Sequence, residues 1–333
     1  MQLTIPAVYR FLWSGTSFPP LYAVAVSSVL VADPHARIVI HCFGSRPRDE
    51  AFHRMTSDPR VTVAHTDIDQ VFSDLPPHLR RIRDVYVALP HAALSAKSNI
   101  LRYAILYLEG GIYLDFDTIT LRPLDSLSTA PCFVGTERVW SLDERRVAGD
   151  SAVLRSRAGL AWLAIWTAKR LDSAATKGRL RVAERTRRLN ARYTHIQPNN
   201  AVIGAVAGAD FLDRLLRAAH GTNPFIRYST GPTLLAKVAH GSSHLVDVLP
   251  PEFFYQIEPA ESYRYFEDKT LELHPSAAVI HYVGSNSQRF LRTEDAPHGS
   301  LIQRVVDLVR AAETDSVDTP TTATTPSDEG ALN

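Results

Sequence analysis

Gly110 and Gly111 stand between a long helical pattern and a short apolar strand, and that junction constrains the fold of this chain more than any other feature. From Ser95 to Leu108 the spacing predicts a helix. Leu94, Leu101, Ala104, Ile105 and Leu108 share one face, while Ser95, Ser98, Asn99 and Arg102 recur at i, i+3, i+4 and i+7 on another. The two glycines end it, because glycine takes the left-handed conformation that closes a helix without a Cβ penalty. Ile112 to Phe116 then reads as a strand that runs straight into Asp117 and Thr118.

Upstream, Val8 to Trp13, Ile38 to Phe43 and Val61 to Ala64 read as strands, and Leu21 to Val31 as a helix packed on a sheet. Strand, helix, strand is the rhythm of βαβ units. The expected fold class is therefore α/β, with a mainly parallel central sheet, flanking helices and right-handed crossovers. Hydrophobic residues at 45% and charged residues at 21% of 333 exclude a disordered or collagen-like chain. A net charge of +1 excludes nucleic acid as a dominant partner. The longest apolar stretch, Leu21 to Ala32, is too short to span a bilayer, and no leader is expected at Met1. Cys42 and Cys132 read as buried small hydrophobes in a reducing compartment, so the expected location is cytoplasmic. From Thr314 to Asn333 the chain is nearly all Thr, Ser, Pro and acids, and is expected to be a disordered tail.

The chemistry concentrates at Asp115 and Asp117. Two positions apart at a strand end, both carboxylates are expected on one face, with Leu114 and Phe116 packing on the other. Strand ends of open α/β sheets are where ligands bind. Converging carboxylates repel unless a cation or a shared proton intervenes, and Mn²⁺ or Mg²⁺ relieves that repulsion while leaving positions for phosphate oxygens. An Asp-x-Asp pair is also compatible with a solvated turn, and Arg102 with a surface ion pair. The helix face that brings Asn99 and Arg102 toward the same strand end favours a site.

At these residues the chain resembles a known family. SNILRYAILYLEGGIYLDFD is similar to the signature of glycosyltransferases with a DXD sugar-binding region. These include the initiating mannosyltransferases of yeast Golgi glycans, the α-1,4-galactosyltransferases and capsular polysaccharide enzymes; the clostridial glucosylating toxin domains are more distant. The pattern S-D-x-x-R-x-x-x-L-x-x-x-G-G-x-Y-x-D-x-D is matched at Ser98, Arg102, Leu106, Gly110, Gly111, Tyr113, Asp115 and Asp117. IPAVYRFLWSG resembles the first strand of the family, with Trp13 where a nucleotide base would stack and Arg10 in place of the usual His. NNAVIGAVAGADFLDRLL, STGPTLL and LPPEFFYQI resemble its downstream blocks around Asn200, Gly231 and Phe254. AVIHYVGSNSQRF resembles its closing segment, without the usual Trp and with Phe290 as the nearby aromatic.

The resemblance implies a GT-A fold with a Rossmann-like nucleotide-sugar half at about residues 1–130 and a smaller acceptor half at 131–313. It implies a retaining hexosyl transfer from a UDP- or GDP-sugar to a glycan, small molecule or protein. Trp13, Ser98, Asn99, Arg102, Tyr113 and Asp115 would bind the donor. Asp117 would hold Mn²⁺ or Mg²⁺, with Asp115, His281, Ser285, Asn286 and Ser287 near it. Asp115, Asp117, Arg102 and Asn99 would carry catalysis. Asn99 stands where the family has Asp, so the sugar it takes is expected to differ or to bind more weakly. Taken alone, Trp13 and His281 are equally compatible with core packing.

Two other readings remain open. One is a non-catalytic nucleotide-sugar binder on the same fold. The other is a phosphatase of the haloacid-dehalogenase type, since YLDFDTI also satisfies its first motif, though the chain holds no adjacent Asp-Asp. Thr136 to Asp150 reads as an acceptor loop, and no second carboxylate is placed as a nucleophile. Finally, Lys169 to Arg192 carries nine Lys or Arg against Asp172 and Glu184. That run reads as a solvated helical face or as a peripheral contact with an anionic acceptor or membrane surface.

Overall fold

A computed structural model describes residues 4–141, 157–191, 193–226, 228–291 and 296–317. The strands are β1 (Val8–Trp13), β2 (Arg37–Cys42), β3 (Val61–His65), β4 (Gly111–Leu114), β5 (Thr118–Thr120), β6 (Cys132–Trp140), β7 (Thr194–Ala205), β8 (Asp247–Leu249) and β9 (Val279–His281). The helices are α1 (Ala23–Ala32), α2 (Glu50–Met55), α3 (Ile68–Asp74), α4 (Ile82–Ala88), α5 (Leu94–Glu109), α6 (Arg157–Leu171), α7 (Val182–Asn190), α8 (Asp210–His220), α9 (Pro232–His240), α10 (Pro251–Phe254), α11 (Arg264–Glu267) and α12 (Leu301–Val317).

Among the described residues, seven strands form one sheet in the order β3-β2-β1-β4-β7-β6-β8. The β1–β2, β2–β3, β1–β4 and β6–β8 pairs are parallel, and β7 runs against both neighbours. The sheet is thus mainly parallel, as the alternating pattern predicts, and it draws strands from both halves of the chain. A second sheet of two strands pairs β5 with β9. It brings Thr118 opposite His281, joining the acidic strand end to a segment about 160 residues later.

The largely apolar α1 is explained by its surroundings: it packs between β5 and α12. Of its two serines, Ser27 is half-buried, and Ser28 is buried with its Oγ donating to the Ala25 carbonyl and accepting from the Thr120 N–H at 2.9 Å. The double glycine is explained by close approach. Gly110 and Gly111 have φ of 64° and 107°, and a Cβ on Gly111 would lie 2.4 Å from the Val8 carbonyl oxygen. Only glycine lets the end of α5 turn onto the strand beside β1. Arg10 locks this corner: Nε donates to the Gly110 carbonyl at 2.6 Å and Nη1 pairs with Glu109, so this arginine has a structural role.

Three boundaries differ from expectation. β4 ends at Leu114, so Asp115 to Asp117 form a turn rather than the last strand residues. Thr136 to Trp140, read as loop, are the end of β6; residues 142–150 lie outside the described set. α12 runs to Val317, past the expected start of the tail, and residues 318–333 also lie outside. Cys42 and Cys132 are both free and buried, as expected.

Candidate active site

The site forms where α5, the β4–β5 turn, a bulge in β7 and the turn after β9 converge. On α5, Asn99 and Arg102 are buried in spite of their polarity, so each requires internal partners. The bulge supplies them. Opposite β6, Val134 pairs with Ile203 and Gly135 with Asn199, which ejects residues 200–202 from that ladder. The amides freed by the bulge are met by side chains: Asn199 Oδ1 accepts from Ala201 N at 2.8 Å and the Tyr255 hydroxyl from Val202 N at 3.1 Å. Ala201 O accepts from Asp115 N at 2.9 Å, and Asn200 O accepts from Arg102 Nη1 at 2.6 Å. Asn200 Nδ2 donates to Asn99 Oδ1 at 2.9 Å and to the Tyr103 hydroxyl at 3.1 Å.

Arg102 also lies over the Tyr113 ring at 4.3 Å and pairs with Asp115 through Nη2 at 3.2 Å. Its Nε and Nη2 reach Ser98 O and Oγ. The Tyr113 hydroxyl donates to Asp115 Oδ1. Asn99, Ser98, Arg102, Tyr113 and Asp115 are therefore one network. Burial pushes the Asp115 carboxyl above its ordinary range, with Arg102 opposing that shift and the charge of Asp117 adding to it.

Asp117 is held differently. Its carbonyl accepts from Tyr282 N at 3.0 Å, and Oδ2 accepts from Gly284 N at 2.6 Å. A Cβ on Gly284 would lie 2.5 Å from the Tyr22 hydroxyl, so the loop passes too close for a side chain. Val283, a β-branched residue at φ 50°, makes the turn that aims this N–H. Asp117 Oδ1 is buried without a hydrogen bond, with His281 Nε2 3.3 Å away. Burial pushes Asp117 up, but the imidazole and the Gly284 N–H outweigh it and hold the carboxyl below the usual range. For His281, burial works against the proton and Asp117 wins, raising its pKa. Asp115, Asp117 and His281 offer one ligand atom each, all within 4.8 Å of one another. A buried carboxylate oxygen without a hydrogen bond, facing a second carboxylate and an imidazole, is part of a donor set that a hard divalent cation fits.

The other expected metal neighbours are placed otherwise. Ser285 is exposed, Asn286 Nδ2 donates to the Pro259 carbonyl at 2.9 Å, and the fully buried Ser287 donates to Tyr282 O at 3.0 Å. Trp13 is half-buried, in edge contacts with Phe18, Tyr22 and Phe116, 4.9–5.9 Å between ring centroids. Phe290 stacks on Phe266 at 4.3 Å, within the smaller core.

The structure adds residues that the sequence alone does not single out as site residues. Asn200 and Asn199 come from the bulge. Tyr255 meets the His281 ring at 5.4 Å. Glu137, on β6, is a buried carboxyl beside Asn199 and Gln197 and within electrostatic reach of His281; burial pushes its pKa up. Its signal was lost because the segment reads as loop.

Residues 26–134 match the family described as a glycosyltransferase sugar-binding region containing a DXD motif, and Asp115-x-Asp117 lies inside the match. An initiation-specific α-1,6-mannosyltransferase of Candida albicans is 36% identical over 58 residues, which is 17% of this chain and 14% of that protein. Among solved structures, the PaToxG glycosyltransferase aligns over 87% of both chains at 14% identity with a TM-score of 0.43. The galactosyltransferase LgtC, solved with donor and acceptor sugar analogs, aligns over 91% of this chain and 95% of that one, at 13% identity and a TM-score of 0.39.

Proposed function

We propose that this chain is a metal-dependent, retaining glycosyltransferase that moves a hexosyl group from a UDP- or GDP-sugar to a glycan, small-molecule or protein acceptor. The observation that carries the reading is the Asp115–Asp117–His281 group, with Asp117 Oδ1 buried and without a hydrogen bond inside the DXD segment. Asp117, Asp115 and His281 would hold Mn²⁺ or Mg²⁺. Such an ion supplies positive charge against the diphosphate that departs as the oxocarbenium-like transition state forms.

The protein's own groups do the rest. Arg102, fixed by Asn200 O, Ser98 and Asp115, cannot swing away; it orients Asp115 and opposes the upward pull of burial on that carboxyl. The Tyr113 hydroxyl fixes the rotation of the same carboxylate. Asn99 is held through its oxygen by Asn200, which sets which way its amide presents donors to a sugar. Trp13 stands at the end of β1 as the platform for the base. Preorganised polar groups need no rearrangement when charge develops, which is why such arrangements dominate catalysis.

The test is a screen of nucleotide sugars for Mn²⁺-dependent thermal stabilisation, followed by donor hydrolysis and transfer. A ligand at 100 times its dissociation constant adds about 2.7 kcal/mol, a shift of several degrees. Asp117→Ala is expected to abolish the Mn²⁺-dependent shift and to lower turnover by about 10²–10³-fold. Stabilisation without any turnover supports the non-catalytic binder instead. Release of phosphate from a simple phosphomonoester, with no response to nucleotide sugars, supports the phosphatase.

A further inference from the structure

Among the described residues, α6 is a long helix that leaves an apolar stripe uncovered. Trp162 and Lys169 face inward, whereas Leu160, Leu163, Ala164, Thr167, Ala168 and Leu171 are exposed at i, i+3, i+4, i+7, i+8 and i+11. Leu160 is 58% exposed and Leu171 61%. A surface helix normally buries such a stripe, and contiguous exposed apolar area marks an interaction face. Leu180 and Leu189 extend the exposed apolar set toward and along α7, which packs on α6.

The charges around the stripe are sorted by sign. Of the two acids of the segment, Asp172 is buried and accepts from Leu180 N and Val182 N, and Glu184 is half-exposed but neutralised by its pairing with Arg264 at 2.7 Å. Lys169 and Arg170 are also drawn inward, onto Glu261 and Glu267. Lys177, Arg179, Arg181, Arg185, Arg187 and Arg188 remain exposed. The segment therefore exposes leucines together with six cations, against one carboxylate that is already paired.

We propose that this face of α6 and α7 docks on an anionic lipid bilayer, with the leucines entering the acyl boundary and the arginines meeting headgroup phosphates. The pairing of an apolar stripe with basic borders is what an interfacial surface requires, and no helix among the described residues is long and apolar enough to cross a membrane. A second copy of the chain is a poorer occupant, because it would set like charges against each other. A nucleic acid would use the arginines and leave the leucines in water. The proposal does not depend on the catalytic reading, since docking is measured without donor, metal or acceptor.

The experiment is cosedimentation of the full chain with vesicles of phosphatidylcholine alone, or with about a third phosphatidylserine replacing it. Binding is expected only to the anionic vesicles, and to fade at about 1 M salt, where the screening length falls to about 3 Å. Each basic residue near such a surface contributes about fivefold, so Arg185→Gln with Arg188→Gln is expected to weaken binding about 25-fold. Leu160→Ser with Leu163→Ser and Leu171→Ser is expected to abolish it while the melting temperature holds. Equal binding to both vesicle types, or none to either, overturns the proposal. So does retention on heparin that the leucine changes leave intact without vesicle binding, and so does a dimer that those changes dissolve.

Discussion

Among the described residues, two clusters bury charge, and they hold it in different ways. Behind α6, Lys169 pairs with Glu261 and Arg264 reaches Glu184, Glu261 and Asp268, so each acid there has a basic partner. At the strand end of β4, Arg102 serves Asp115, but Asp117 keeps a buried oxygen with no hydrogen bond and only an imidazole nearby. In the first cluster Glu261 Oε2 is likewise without a hydrogen bond, yet it lies 3.6 Å from Arg264, and the cluster holds α6 to the smaller core. In the second, the orphan oxygen belongs to one of three ligand-type groups within 4.8 Å of one another beside a strand end, where ligands of α/β sheets bind. The difference teaches that burial and perturbed ionisation alone do not mark function here; the convergence of ligand atoms at a strand end does.

The largest effect should come from breaking the self-contained cluster. Lys169→Met leaves Glu261 buried without its main partner and is expected to cost about 3–5 kcal/mol, read as a lowered urea midpoint. Turnover per folded molecule should hold at low temperature. The complementary change, Asp117→Asn, should do the reverse. The amide still accepts from Gly284 N, and relief of the repulsion with Asp115 offsets the lost attraction of His281, so stability should move by less than about 1 kcal/mol while turnover collapses. If the two variants exchanged these phenotypes, the contrast between the clusters would be wrong.

A buried group that stays neutral sharpens the comparison through pH. His41, packed against Arg10 and Thr66, is pushed down to about 4 by burial and by the Arg10 charge. The unfolded chain takes that proton near pH 6.5 and the folded one only near 4, so the stability is complete above 6.5 and is lost as pH falls through that window. The loss attributable to His41 is about 3 kcal/mol. His41→Gln should flatten the stability profile between pH 6.5 and 4, and an unchanged slope would place the acid sensitivity elsewhere.

What could be read in advance followed from local signals. The helix from Ser95, the double glycine and the acidic pair lie within about two dozen consecutive residues, where periodicity and turn chemistry decide. β1 to β3 were legible for the same reason. The bulge in β7 was not, because it is a register shift set by pairing with β6 far upstream, and so Asn200 and Tyr255 stayed hidden as partners of Arg102 and of the bulge. Ser287 looked like a ligand by its place after His281, yet its hydroxyl closes its own turn. Glu137 was lost to an element misread as loop. Neighbours in sequence were legible from the residues, and His281 only through the resemblance; the other neighbours made by topology were not.

The smallest effect expected on stability is at Val283, and it separates strain from function. A valine at φ 50° costs about 1–2 kcal/mol relative to glycine in that conformation, and it is tolerated where the turn must aim Gly284 N at Asp117. Val283→Gly removes that strain but adds about 0.5–1 kcal/mol of freedom to the unfolded chain, so the net change in stability should stay within about 1 kcal/mol. The freedom also enters the folded turn, and the N–H that fixes one oxygen of Asp117 becomes less ordered. Mn²⁺ affinity, followed by titration calorimetry, should therefore fall several-fold at nearly constant melting temperature. A variant that melts well above the parent and binds Mn²⁺ as tightly would mean that the strained turn plays no part in presenting Asp117.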